Sequence, residues 1–320
     1  MKQLPNLWLW YNNDTNRLIQ KYMPAWRIAP SVSGHVQTTE QITKYAADLD
    51  AVPQDSEIIL LNVDESECAH LSKPNSTQSQ RTLAVKLVQT IGGLARSKHP
   101  NSGSGNYGVP LVKARLGPDY LTDHAAMQTQ IEEIANAPGA EAFSQMNALH
   151  VSVYDSYESD ENPPDGVPDG QQWMREVQSA RVVYGAKLME LLDKKAGRVR
   201  PRIFTIHHRY TSTTTIVHKL ISYQEVWHEQ VLPALEATNG ACHIALWGSQ
   251  TLDYYCYRIA GTRPEEAARN LANITPELVA AGVDPTDREA LRQYDKMTSL
   301  MSAASLDARV RDWYGYLGTG

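Results

Sequence analysis

Short apolar runs alternate with longer helix-patterned stretches from Leu7 to Leu246, and this rhythm limits the possible folds more than any motif does. The clearest run is Glu57-Ile58-Ile59-Leu60-Leu61-Asn62-Val63, which lacks the apolar/polar alternation of a half-exposed strand. Such a run fits a strand covered on both faces, as in a parallel sheet. Residues 77–97 follow it, with Leu83, Leu87, Val88, Ile91 and Leu94 at helical spacing. Further runs lie at 7–11, 26–32, 109–114, 148–154, 202–206 and 242–246. Helices are predicted at 39–49, 121–136, 171–195 and 222–237, with Gly197 as a C-cap.

Repeated strand–helix units predict an α/β fold with a parallel sheet. Seven of them favour a TIM-like (β/α) barrel over an open sheet, and 320 residues suit such a barrel. Residues 264–314 read as almost wholly helical. The predicted organisation is therefore a barrel over 1–260 and a helical extension packed on it over 261–320. No eighth strand stands out. It lies within 252–259, or the barrel is incomplete or irregular. The Gly/Ser/Asn stretch 101–107 reads as a loop, and Gly103-Ser104-Gly105 precedes its run, so it lacks the context of a dinucleotide-binding fingerprint.

Composition narrows the function. The net charge is −6 and no Lys/Arg cluster tracks a phosphate backbone, so no nucleic-acid partner is expected. The three cysteines, Cys68, Cys242 and Cys256, match no metal or disulfide framework, so neither metal nor other cofactor is expected. No Gly-x-Ser-x-Gly elbow occurs, and Cys242-His243 lies inside a predicted strand. The first residues, Met-Lys-Gln-Leu-Pro-Asn, have no leader-like apolar region, and no apolar run reaches membrane-spanning length. A soluble, cytoplasmic protein is expected, with a place in a virus particle as an alternative. Two Phe stand against 16 Tyr and seven Trp. Tyr and Trp carry an apolar face and a polar edge, which suits half-wet surfaces such as sugar-binding clefts, interfaces and barrel exteriors.

Barrel sites form at the C-terminal ends of the strands. Those ends supply Asn12, His35, Asp64, Glu65, Glu67, Arg115, Asp155, Tyr157, Glu158, His207, His208, Arg209, Tyr210, Trp247 and Gln250. Three carboxylates within Asp64-Glu65-Ser66-Glu67 repel one another, which raises at least one pKa. A protonated acid beside an ionised one is what glycosidic cleavage uses. Asp155 and Glu158 supply a second pair. The expected catalytic groups are Asp64 or Glu67 as acid and Asp155 or Glu158 as base or nucleophile. Solvated caps and loops are the alternative for all four. Asn12, His35, Arg115, Tyr157, His207, His208, Arg209, Tyr210, Trp247 and Gln250 are expected to contact substrate. Adjacent strand histidines face opposite ways, so His207-His208 does not form one metal site.

On Asp64-Glu65-Ser66-Glu67, the Asp155/Glu158 pair and Trp247, the chain resembles the TIM-barrel glycoside hydrolases over about residues 5–255. The resemblance is architectural and implies carboxylate acid/base catalysis on a carbohydrate. In several such families the acids end the fourth strand, or the fourth and seventh. Here those runs end in Arg115 and Trp247-Gly248-Ser249-Gln250. Two functions stay open. One is a glycosidase-like hydrolase. The other is a non-catalytic glycan-binding or assembly module, such as a virion or surface-complex component, with oligomer contacts through the C-terminal helices.

Overall fold

The alternation of the sequence becomes the order of the elements in a computed structural model that describes residues 6–10, 26–73, 75–110, 124–153, 170–207 and 226–247. These are β1 (Asn6–Trp10), β2 (Arg27–Ile28), β3 (Ser31–Gly34), α1 (Thr39–Asp50), β4 (Ile58–Val63), α2 (Glu65–Cys68) and α3 (Gln78–Lys98). Next come β5 (Gly103–Asn106), α4 (His124–Asn136), β6 (Leu149–Ser152), α5 (Gly170–Ala196), β7 (Arg202–His207), α6 (Leu232–Ala237) and β8 (His243–Trp247). All belong to one compact unit. The expected helical extension, 261–320, and the eighth-strand candidate, 252–259, lie outside the described residues. No helix among the described residues is long and apolar enough to cross a membrane.

The fold is α/β with parallel sheets. One sheet has the order β2-β1-β8-β7-β6 and the other β3-β4-β5. Strands β2 and β3 are two parts of one expected run, broken at Ala29-Pro30. Pro30 has no N–H to give a ladder. The Ala29 N–H donates to the Leu9 carbonyl at 3.0 Å, and the Leu60 N–H to the Pro30 carbonyl at 3.0 Å. The run thus leaves one sheet and enters the other. Between β5 and β6 the Ala148 N–H donates to the Ser104 carbonyl at 2.9 Å. Among the described residues no continuous ladder joins the sheets, yet they share a core. Trp8, Trp10, Ile203 and Ala245 from the first pack with Ile58 and Leu60 from the second, and Ala29 and Ala148, beside the strands, join them.

One expectation is corrected. Gly103–Asn106, inside the stretch read as a loop, is a strand, while residues 111–114 of the expected run 109–114 lie outside the described residues. Its four residues are buried, and they pair with Ile58–Leu61. A Cβ on Gly105 would lie 3.0 Å from the His150 Cβ and 3.3 Å from Ile203 Cδ1. The neighbours occupy the space of a side chain, so a glycine-rich segment fits where a β-branched run would not. Val109 makes only an isolated antiparallel bridge to His150.

Helix ends follow local chemistry. Thr38 and Thr77 form capping boxes with Gln41 and Gln80 at the starts of α1 and α3. Gly197, at φ +65°, follows α5 as expected. A π-helical turn, Val226–Val231, precedes Pro233 near the start of α6. Pro233 has no N–H for the Glu229 carbonyl, which loosens the ladder there. Beyond α5, Arg200 donates through Nε to Asp193 Oδ1 at 2.7 Å, and both side chains are almost fully buried. This pair ties the end of α5 to the start of β7.

Adjacent glycines on α3 give opposite predictions. A Cβ on Gly92 would lie 2.6 Å from the Gln145 carbonyl oxygen, whereas one on Gly93 meets nothing within 4 Å. Gly92→Ala is expected to lose about 1–3 kcal/mol through overpacking. Gly93→Ala is expected to gain about 0.5–1 kcal/mol through backbone entropy. Urea-unfolding midpoints of the two variants check both signs.

Candidate functional site

The C-terminal ends of β1, β8, β5 and β6 carry a group of rings. Trp10 and Trp247 are paired across β1 and β8, with centroids 6.2 Å apart. Tyr107, just after β5, lies 5.7 Å from Trp10 and 6.4 Å from Trp247. The His150 ring of β6 is 5.7 Å from both Trp10 and Tyr107. Trp10 and His150 are buried, whereas Tyr107 and Trp247 are half-buried and present part of their rings. The Tyr107 hydroxyl donates to Ser152 Oγ at 3.0 Å. By strand alternation Asn62 shares the face of Ile58 and Leu60, at the C-terminal end of β4. Rings, two hydroxyls and an amide therefore border the same strand ends.

His150 is held neutral. Its Nδ1 lies 3.2 Å from the Gly105 carbonyl, and its Nε2 is close to Thr205 Oγ1. An Nδ1–H donating to the carbonyl leaves Nε2 to accept from the hydroxyl. Burial lowers the His150 pKa to about 4, with the Gly105 hydrogen bond opposing.

A second group sits where β3 and β4 end. The Asp64 carboxylate has no exposed surface. Its Oδ2 accepts from the Val36 N–H at 2.7 Å. Its Oδ1 accepts from Gln37 Nε2 at 2.7 Å and lies 2.7 Å from His35 Nδ1. The Asp64 backbone is left-handed, at φ 43° and ψ 45°, a region that Asp tolerates better than most residues. The loop from β3 to α1 thus wraps one buried carboxylate, while 63% of the His35 side chain stays exposed.

Glu65 opens α2 beside this group. A Cβ on Gly108 would sit 4.0 Å from its Oε1. Glu65 is exposed, yet local desolvation raises its pKa above the ordinary carboxylate range, and the Lys73 charge opposes the rise. Glu67 lies half-buried on α2. The Cys68 thiol is pushed up by burial, then by Asp64, Glu67 and Glu65, which leaves it protonated and unreactive.

The structure brings Asp64 and His35 into contact, places Glu67 on the next turn, and sets Trp247 in the ring group. His207 ends β7 and pairs with Trp247 in register. Asn12, Arg115, Asp155, Tyr157, Glu158, His208, Arg209, Tyr210 and Gln250 lie outside the described residues. Sequence reasoning missed Trp10, Asn62, Tyr107, His150 and Ser152 as site residues. Two-residue spacing was the available signal, since Ala148, His150 and Ser152 share one face of β6.

No family model and no curated protein matches the chain. Among solved structures, bee venom hyaluronidase in complex with a hyaluronic acid tetramer is similar in chain path, with a TM-score of 0.45. The likeness covers 86% of this chain and 96% of that one at 10% identity. No residue role transfers at that identity.

The His150 shift sets a pH dependence. The unfolded chain binds a proton at this residue near pH 6.5, whereas the folded chain resists until about pH 4. The contribution is complete above pH 6.5 and is lost as pH falls toward 4. Between pH 6.5 and 4.5 it amounts to about 2–3 kcal/mol. Urea unfolding at both pH values is expected to show a smaller acid loss, by about that amount, in His150→Gln than in the wild type.

Proposed function

We propose that the two sheets form one (β/α) barrel and that its strand ends bind a carbohydrate, which carboxylate acid/base chemistry cleaves. Support for the barrel comes from the shared core and from the hydrogen bonds at Ala29, Leu60 and Ala148 that bridge the breaks in pairing. The observation that carries the ligand reading is the half-open group of Trp10, Tyr107 and Trp247, bordered by Asn62 and Ser152. A sugar ring has an apolar C–H face and a rim of hydroxyls. Aromatic faces take the first, and amide, hydroxyl and imidazole groups take the second.

In this reading Glu65 is the acid. It is exposed, it reaches toward Gly108 just past β5, and its raised pKa favours the protonated form, which a group that protonates a leaving oxygen requires. Glu67 flanks it. Asp64, with both oxygens accepting hydrogen bonds, holds the loop. The second carboxylate is Asp155 or Glu158, as the sequence suggests. Asn12, Arg115, Tyr157, His207, His208, Arg209, Tyr210 and Gln250 are the candidates for hydroxyl contacts.

A panel of neutral and uronic-acid-containing oligosaccharides tests this by calorimetry and product analysis. Trp247→Ala is expected to weaken binding about five- to tenfold, the size of a lost ring contact. Glu65→Gln is expected to keep binding and lower kcat by at least about a hundredfold. Binding without cleavage supports the non-catalytic glycan-binding module instead, and no binding by a folded wild type overturns both.

A further inference from the structure

We infer that His35 is the proton-transfer base of this site and that Asp64 is its positioning residue. The inference rests on the carbohydrate reading above and gives the role of base to His35 in place of the second carboxylate, Asp155 or Glu158. Three observations converge on it. First, an exposed imidazole is tied at Nδ1 to a carboxylate with no exposed surface, 2.7 Å away. Such a contact fixes the ring's orientation and its tautomer. Second, the carboxylate already accepts from the Val36 N–H and the Gln37 amide. Those bonds close the loop without the histidine. Third, Asp64 adopts a left-handed backbone at the last position before α2. Strain of this kind persists where the surrounding structure imposes it and concentrates at functional sites.

The geometry fixes the chemistry. Asp64 Oδ1 takes the hydrogen bond from Nδ1–H, which selects the tautomer with a lone pair on Nε2. No hydrogen bond to His35 Nε2 occurs among the described residues. That nitrogen stands at the end of β3, and Glu65 follows the end of the adjacent β4. In hydrolysis, Nε2 takes a proton from water as the water oxygen bonds to the anomeric carbon. The glycosidic C–O bond breaks, and its oxygen takes the proton of Glu65. The imidazolium formed stays hydrogen-bonded to Asp64 and gives its proton to solvent, from which the Glu65 carboxylate recovers one, so both groups return to their starting forms. Atoms and charge balance as one water consumed and two hydroxyl-bearing sugars released.

Two probes on the full chain test this. Diethyl pyrocarbonate at pH 7, followed by peptide mass spectrometry, reads the nucleophilicity of Nε2 without any glycan. Carbethoxylation of His35 is expected to be fast in the wild type and about tenfold slower in Asp64→Asn, with far-UV circular dichroism unchanged. Slow labelling, or labelling indifferent to Asp64→Asn, overturns the dyad. The second probe is cleavage of whichever oligosaccharide of the panel the wild type cuts. His35→Gln is expected to lower kcat about a hundredfold or more with KM within about threefold. Full activity in His35→Gln overturns the assignment while leaving the glycosidase reading intact. Fast, Asp64-dependent labelling with no cleavage of any oligosaccharide supports the dyad and overturns the glycosidase reading. If Asp64→Asn does not fold, His35→Gln alone decides by its kcat.

Discussion

Two tryptophans of β1 set the terms for the rest of the core. Trp8 and Trp10 point to the same side of the first strand, and three alanines join Ile58, Leu60 and Ile203 in the core around them. Ala29, Ala148 and Ala245 surround them in the core, and Gly105 backs against His150. Interiors are filled to crystal-like density, so two indole rings on one strand require small residues on others. The indoles also need hydrogen-bond partners. Trp8 Nε1–H donates to His243 Nδ1 at 3.1 Å, and the Arg27 guanidinium lies 3.8 Å above the Trp8 ring. That end of the strands holds a structural network, with Arg27 bridging to Glu57 at 2.6 Å.

Trp10 links this packing to the opposite end, where the rings become accessible. It is the buried member of a set whose outer members, Tyr107 and Trp247, face partly outward. A hydrophobic floor with polar edges is thus a consequence of how the interior is filled. The neighbouring Asp64 group follows a different logic. There a buried charge gathers three donors, and the loop that supplies them brings a histidine to the rim. A buried carboxylate without such donors would be costly.

Much of this was legible in the sequence, because the parallel strands are covered on both faces and read as apolar runs. Residues 57–63 and 202–206 show it plainly, and both are strands. β5 was not legible. Its glycines, serine and asparagine have poor strand propensity, and only the tryptophan and histidine across the interior explain them. The break at Pro30 likewise divides one apolar run between two sheets. For the site, Asp64, His35 and Trp247 stood out because they end strands. The link between His35 and Asp64 is a matter of loop path, which spacing does not encode. Tyr107 was hidden by the misplaced strand, and Glu65 was one acid among three until its place beside Gly108 distinguished it.

The central claim is that the ends of β4, β5 and β8 form one ligand site. Amide hydrogen exchange of the whole chain, with and without saturating oligosaccharide, measures this directly. The account predicts slowed exchange confined to the segments around Asn62–Glu65, Tyr107–Gly108 and Trp247. Slowed exchange confined to the helices, or none with any oligosaccharide, would contradict it.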